Sequence, residues 1–175
     1  MIKICILGDI GSGKTYISKQ FGYPVFQADL EVKKIYKKNK ICFKKLNKKI
    51  PQYIKSFPIK KNELTNAILR NKKNLVKIIK VVHPMVREKM YSFFKRNKKK
   101  KFVILDIPLL LENRINDKNY ILVFVDANKK VIQRKLKKRK NYNAKIIREL
   151  KKFQLPLELK KKKANFVIKN NFKNI

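Results

Sequence analysis

The sequence predicts an α/β domain in which a five-stranded parallel sheet is doubly wound and flanked by helices. Three observations predict it. The apolar runs Ile2–Leu7, Lys101–Asp106 and Tyr120–Val125 lack the in-out alternation of a half-solvated strand, so they read as strands buried on both faces. Helix-period segments separate the strands, which calls for right-handed crossovers. The first run also ends in a glycine-rich turn that leads straight into a helix.

Taken in order, Ile2–Leu7 is the first strand, and a helix follows the glycine-rich turn from about Lys14 to Phe21. Val25–Gln27 is a brief second strand. From Leu30 to about Arg96 the chain is Lys-rich and mostly helical, with breaks expected near Pro51, Pro58 and Pro84, because proline has no N–H and clashes with the preceding turn. This stretch is expected to form a helical substrate lobe over about 30–100, set into a core of about 1–29 and 101–175. Lys101–Asp106 and Tyr120–Val125 are the third and fourth strands. Helices are expected over 128–140 and 144–153, and Phe166–Ile168 is a short fifth strand. With no internal repeat and no linker, residues 1–175 read as one domain.

The net charge of +37 would suit a polyanion partner, yet its distribution argues against a specific nucleic-acid site. The basic residues comprise 41 lysines and 7 arginines, in runs at 33–49, 72–80, 95–101, 135–140 and 160–163 rather than in one patch. Such runs read as solvated faces. Abundant Lys, Asn, Ile, Phe and Tyr, with scarce Gly, Pro and Trp, also follow A/T-rich codon usage. No apolar stretch reaches a membrane span, and the first strand is too short for a signal-peptide core, so a cytosolic protein without a membrane partner is expected; the sequence leaves the oligomeric state open, with a monomer favoured. Cys5 and Cys42 have no metal-ligand spacing and are expected as free thiols.

The chemistry is concentrated in Gly8-Asp-Ile-Gly-Ser-Gly-Lys-Thr15, which fits the phosphate-binding pattern G-x-x-x-x-G-K-[ST]. Gly8, Gly11, Ser12 and Gly13 let the backbone curl so that its N–H groups face phosphate oxygens. The helix that opens at Lys14 adds its positive end, and Tyr16 completes the ATP-binding segment. Lys14 is expected to reach the β- and γ-phosphates and Thr15 to place its hydroxyl on Mg²⁺. GTPases share this loop, but the Asn-Lys-x-Asp guanine reader is missing. A short chain with a helical insertion suits a P-loop kinase for a small molecule.

At this point the chain resembles the dephospho-CoA kinase family over nearly its whole length. Ile10-Gly-Ser-Gly-Lys-Thr15 matches the family's loop, and Gln27-Ala-Asp29 falls where the family carries D-A-D. His83-Pro84 matches an H-P pair, and Asp106-Ile-Pro-Leu-Leu-Leu-Glu112 matches D-x-P-L-L-x-E. Arg139 falls on the last arginine of a basic lid segment, about 135–147, with Gln154 at the family's spacing beyond it. Ala164-Asn-Phe-Val-Ile-Lys-Asn170 resembles the closing A-D-x-x-I-x-N. The resemblance implies transfer of the ATP γ-phosphoryl group to the ribose 3′-hydroxyl of dephospho-CoA, the last step of coenzyme A synthesis. It also implies that Lys14, Asp29 and Arg139 act in catalysis, and that Asp29, His83, Pro108, Leu109, Leu110 and Glu112 hold the acceptor, with Thr15 and Asp106 on the metal. A kinase for another small acceptor, such as a nucleoside monophosphate or a sugar acid, is the nearest rival. A basic nucleic-acid-binding P-loop protein is a more distant one.

Several positions depart from the family pattern. Asp9 replaces the second glycine of the loop, and its side chain is expected to point outward, since only backbone N–H groups are needed there. Gln27 and Asn165 replace aspartates, while Lys61 and Lys135 stand where arginines are usual and keep the charge without the planar fork. Four candidates also have a plainer reading. Asp29 is read as an acceptor-site carboxylate at the end of the second strand, with a cap of the following helix as its alternative. Asp106 is equally a metal-organising carboxylate or a cap, and His83 suits a structural histidine as well as an acceptor contact. Arg139 is read as a lid arginine rather than one more solvated charge.

Overall fold

The computed structural model describes residues 1–108, 111, 119–140 and 142–172. The chain divides into two compact units, Met1–Gln27 with Arg96–Ile175, and Ala28–Lys95. The first unit holds the sheet: β1 (Ile2–Gly8), followed by helix α1 (Lys14–Gln20), then β2 (Val25–Gln27). The second unit contributes α2 (Ala28–Lys38), α3 (Lys40–Lys49), α4 (Lys61–Arg70) and most of α5 (Lys72–Arg96). The chain then returns to the sheet with β3 (Phe102–Asp106), β4 (Tyr120–Ala127), α6 (Lys129–Lys137), α7 (Ala144–Lys152), α8 (Leu157–Lys163) and β5 (Phe166–Asn170).

All five strands are parallel, in the order β2-β3-β1-β4-β5. The order follows from how apolar each run is. β1, flanked by β3 and β4, buries Ile4, Cys5, Ile6 and Leu7 in succession, whereas the outermost β5 leaves Phe166 and Val167 exposed. Ile4, Ile6, Ile104, Val123 and Val125 make one apolar cluster of the sheet, so side chains from its three central strands supply that core. The carboxyl ends of β1, β3 and β4 lie side by side, and the loop after β1 opens between its two neighbours.

In the second unit the apolar core gathers Ile35, Cys42, Leu46, Ile50, Ile54, Ile59, Ala67, Ile78, Val81 and Val82. Asn39 caps α3 by accepting the N–H of Cys42 at 2.8 Å. Glu63, in the first turn of α4, accepts the N–H groups of Lys55, Ser56 and Lys60. Burial alone would push its carboxyl up, but these hydrogen bonds hold it below the ordinary value.

Three sequence expectations need correction. Pro84 does not break its helix: α5 runs from Lys72 to Arg96 with Pro84 inside it and exposed. The loss at an interior proline is about 3 kcal/mol. Burial of Ile78, Val81, Val82 and Met90 on the same helix offsets it at roughly 1.5–3 kcal/mol each. The second correction is at α2, which begins at Ala28 directly after β2, so Asp29 lies in the first helical turn rather than at the strand end. Third, α8 was not foreseen, because its Lys160-Lys-Lys-Lys163 run reads as solvated charge, yet Lys160 is 1% exposed. No helix of the described residues is long and apolar enough to cross a membrane.

Cys5 and Cys42 are both buried, with no exposed surface. Desolvation raises both thiols, Cys42 to about 11 and Cys5 further still, against the opposing pull of Lys45 and Lys3 respectively. Neither forms thiolate near neutral pH, so a disulfide-exchange reagent at pH 8 is expected to modify them only at the rate of unfolding. A rapid reaction of either thiol in native protein would contradict this burial.

Candidate active site

The loop after β1 owes its shape to glycines at points where a side chain cannot fit. Gly8 has φ +144°, and a Cβ there would lie 2.7 Å from the Val125 carbonyl oxygen of the neighbouring strand. Gly13 has φ +91°, and its Cβ would meet Asn170 Nδ2 at 2.3 Å. Both positions combine a left-handed or extended-positive backbone with a close approach that L side chains reach only under strain. Gly13 is also the N-cap of α1, so the unsatisfied N–H groups of the helix start lie next to the loop.

Lys14 is 8% exposed, with its ammonium folded back onto the loop. It donates to the Gly8 carbonyl at 3.2 Å and to the Asp9 carbonyl at 2.7 Å. The loop is also braced by Ser12 N–H on the Asp9 carbonyl at 3.1 Å and Ile17 N–H on the Gly13 carbonyl at 3.0 Å. Thr15, one residue on, donates its hydroxyl to Asp106 Oδ2 at 2.5 Å. Asp106 ends β3, so the sheet brings together two residues 91 positions apart. The pair offers hard oxygen donors, which suit a hard divalent cation that also binds phosphate oxygens. Among the described residues no group of three or more His, Cys, Asp or Glu could hold a metal without such help. Asp106 is no helix cap, since Ile107 and Pro108, which follow it, are not helical.

Asp9 corrects the expectation of an outward side chain. It is 7% exposed, accepts the Ile10 N–H on Oδ1 at 2.7 Å, and pairs through Oδ2 with Lys151 of α7 at 2.9 Å. Asn170, the last residue of the closing motif, also contributes to the loop. Its Nδ2 donates to the Ser12 carbonyl at 2.9 Å and its Oδ1 accepts the Phe172 N–H at 3.0 Å, which ties the end of β5 to the loop. The signal that could have found it is its place at the end of an apolar run, where a polar residue terminates a strand beside the loop. Asn165 serves the sheet, accepting the Leu122 N–H on Oδ1 at 2.8 Å, which is what the family's aspartate could also do. Lys135 stands 4.4 Å over the Phe172 ring, a cation–π contact rather than a fork-shaped ion pair.

Gly8, Gly11, Ser12, Gly13, Lys14, Thr15 and Tyr16 therefore lie on one continuous loop and helix start, next to Asp106. Arg139 sits on the turn after α6, exposed, and its guanidinium makes no hydrogen bond or ion pair among the described residues. Pro108 is half-buried two residues beyond β3, while Leu109, Leu110 and Glu112 lie outside the described residues. Asp29 and His83 belong to the second unit, Asp29 exposed in the first turn of α2 and His83 half-buried on α5. A small hollow of about 60 Å³ lies between Asp9, Ser12, the end of β4, α6 and α8. Asp9 and Ser12 of the loop line it, whereas Lys14, Thr15 and Asp106 do not.

The family model described as dephospho-CoA kinase matches residues 2–174. A dephospho-CoA kinase of Wolbachia pipientis is 30% identical over 170 residues, covering 94% of this chain and 87% of its own. A crystal structure of a Thermus thermophilus protein superposes with a TM-score of 0.78 at 26% identity, covering 97% of this chain and 88% of that one. The dephospho-CoA kinase of Campylobacter jejuni shares the fold with a TM-score of 0.63 at 21% identity, covering 98% and 89%. With the family model spanning all but the outermost residues and a relative matched along nearly the whole sequence, the chain belongs to the dephospho-CoA kinase family.

Proposed function

We propose that this chain phosphorylates the ribose 3′-hydroxyl of dephospho-CoA with ATP, using Lys14, Asp29 and Arg139 as its reacting-site residues. The observation that carries the reading is the Thr15–Asp106 contact beside a glycine-bent loop onto which the Lys14 ammonium folds. The phosphates of ATP lie on residues 8–16, and Lys14 exchanges its two loop carbonyls for β- and γ-phosphate oxygens. Thr15 and Asp106 would hold Mg²⁺, which would neutralise charge on the phosphates when bound. Arg139, from a lid over about 135–147, stabilises charge on the transferred group. Asp29 orients the acceptor hydroxyl, and a lobe of about residues 30–100, with His83 and the segment Pro108, Leu109, Leu110 and Glu112, holds the rest of the acceptor. The enzyme works as a cytoplasmic monomer, with no specific nucleic-acid partner.

The test is turnover and ATP affinity of wild type and Asp29→Asn, with dephospho-CoA, adenosine monophosphate and shikimate as acceptors. Wild type is expected to prefer dephospho-CoA. Asp29→Asn keeps the size and one acceptor oxygen but removes the charge. Its kcat is expected to fall by roughly 10²–10⁴, the usual range for a group that positions or deprotonates a nucleophile, with ATP binding nearly unchanged. Preference for another acceptor would overturn the substrate. A mutant that loses ATP affinity but keeps turnover would place Asp29 at the nucleotide or in the helix turn instead.

A further inference from the structure

An acidic side chain stands inside a loop shaped for phosphates, in a chain with 48 basic residues and 11 acidic ones. The Asp9 side chain is 9% exposed, so it is neither well hydrated nor well screened by salt. Its Oδ1 is held by the Ile10 N–H at 2.7 Å, which anchors the carboxylate within the loop. Its Oδ2 takes the ammonium of Lys151 at 2.9 Å, and these are its only side-chain partners among the described residues. Lys151 lies 142 positions away, in the last turn of α7, where the negative end of the helix favours a cation. A buried carboxylate one residue from Gly8, and sharing its backbone carbonyl with Lys14, repels any anion that the loop binds. A fixed cation beside it cancels that repulsion.

We infer that Lys151 is a positioning residue of the nucleotide site: it neutralises Asp9, and through that pair α7 sets the affinity of the phosphate loop for ATP. The inference rests on residues 8–15 being the ATP site. It differs from a merely structural ion pair in the signs that it requires. Removing Lys151 alone leaves an unpaired negative charge in the loop and weakens ATP binding. Removing the charge of Asp9 alone leaves an extra positive charge and strengthens it. Removing both restores neutrality.

The experiment is calorimetric ATP binding and steady-state kinetics for wild type, Lys151→Met, Asp9→Asn and the double variant, with Tm measured for each. Asp9→Asn is chosen because it keeps an oxygen for the Ile10 N–H. Lys151→Met is expected to raise Kd and KM for ATP by roughly threefold to tenfold, a modest factor because Lys151 is 46% exposed, while kcat stays close to wild type. Asp9→Asn is expected to lower Kd by a similar factor, and the double variant to return to within about twofold of wild type. Lys151→Arg should behave as wild type. Unchanged ATP binding in Lys151→Met, or a double variant as weak as Lys151→Met, would overturn the inference. If Lys151→Met does not fold, the direction for Asp9→Asn decides: tighter binding supports the pair, unchanged or weaker binding refutes it. Wild type that fails to bind ATP would instead overturn the assignment of residues 8–15.

Discussion

Lys14→Ala is expected to lower turnover by roughly 10³-fold or more, about 4 kcal/mol of transition-state stabilisation. The ammonium is the one point charge that the loop itself can direct at the β- and γ-phosphates. In the structure that ammonium donates to the Gly8 and Asp9 carbonyls, at 3.2 and 2.7 Å. The expected role in this fold is thus an exchange of partners, carbonyl oxygens for phosphate oxygens, with little reorganisation of the chain. The side chain is buried rather than facing a solvated pocket, so the substitution also deprives two carbonyls of a donor. The loop retains its other braces: Ser12 N–H to the Asp9 carbonyl, Ile17 N–H to the Gly13 carbonyl, and Asn170 Nδ2 to the Ser12 carbonyl. A folded variant with a Tm close to wild type is therefore expected. Stopped assays on that protein decide the matter, because near-normal turnover would remove Lys14, and with it the loop, from the reaction.

Arg139→Ala is expected to lower kcat by roughly 10³–10⁵, the range for an arginine that stabilises charge on a transferred phosphoryl group. Its effect on ATP Kd should be far smaller, since the interaction strengthens only as charge develops. The structural ground is the turn after α6, where Arg139 stands exposed with its backbone in two local bonds, Arg139 N–H to the Leu136 carbonyl and Tyr142 N–H to its own carbonyl. Its guanidinium is not committed to an ion pair among the described residues, so it can serve a ligand without breaking one. Arg139→Lys should recover only part of the rate, because an ammonium keeps the charge but not the planar fork. Rapid-quench measurements of the chemical step read this directly. A loss of less than about tenfold, the scale of a surface charge, would make Arg139 one more member of the solvated Lys/Arg population.

What the sequence by itself determined is the part governed by local rules. The strands β1, β3 and β4 are continuous apolar runs, the pattern of strands buried on both faces of a parallel sheet. The loop from Gly8 to Thr15 could be recognised because its glycines sit where positive φ is required, and its position between strand and helix is visible in sequence order. Some of the resemblance motifs were legible for the same reason: Gln27-Ala-Asp29 and the stretch that opens at Asp106 start at the ends of readable strands.

Tertiary structure decided everything that depends on partners distant in sequence. The continuity of α5 through Pro84 could not be read locally, because the local term opposes a helix there and only burial of Ile78, Val81, Val82 and Met90 outweighs it. Helix α8 was hidden for the converse reason: a lysine run looks solvated until a packed neighbour covers Lys160. Asp106 has two readings of equal standing in the sequence, and only the fold brings it to Thr15 across 91 residues. Asp9 looked like a departure whose side chain would turn to solvent, and the fold instead buried it and supplied Lys151 from 142 residues away. A charge's meaning depends on what lies within a few ångströms of it, and in a folded chain those neighbours are set by the packing of helices and strands, not by the order of residues.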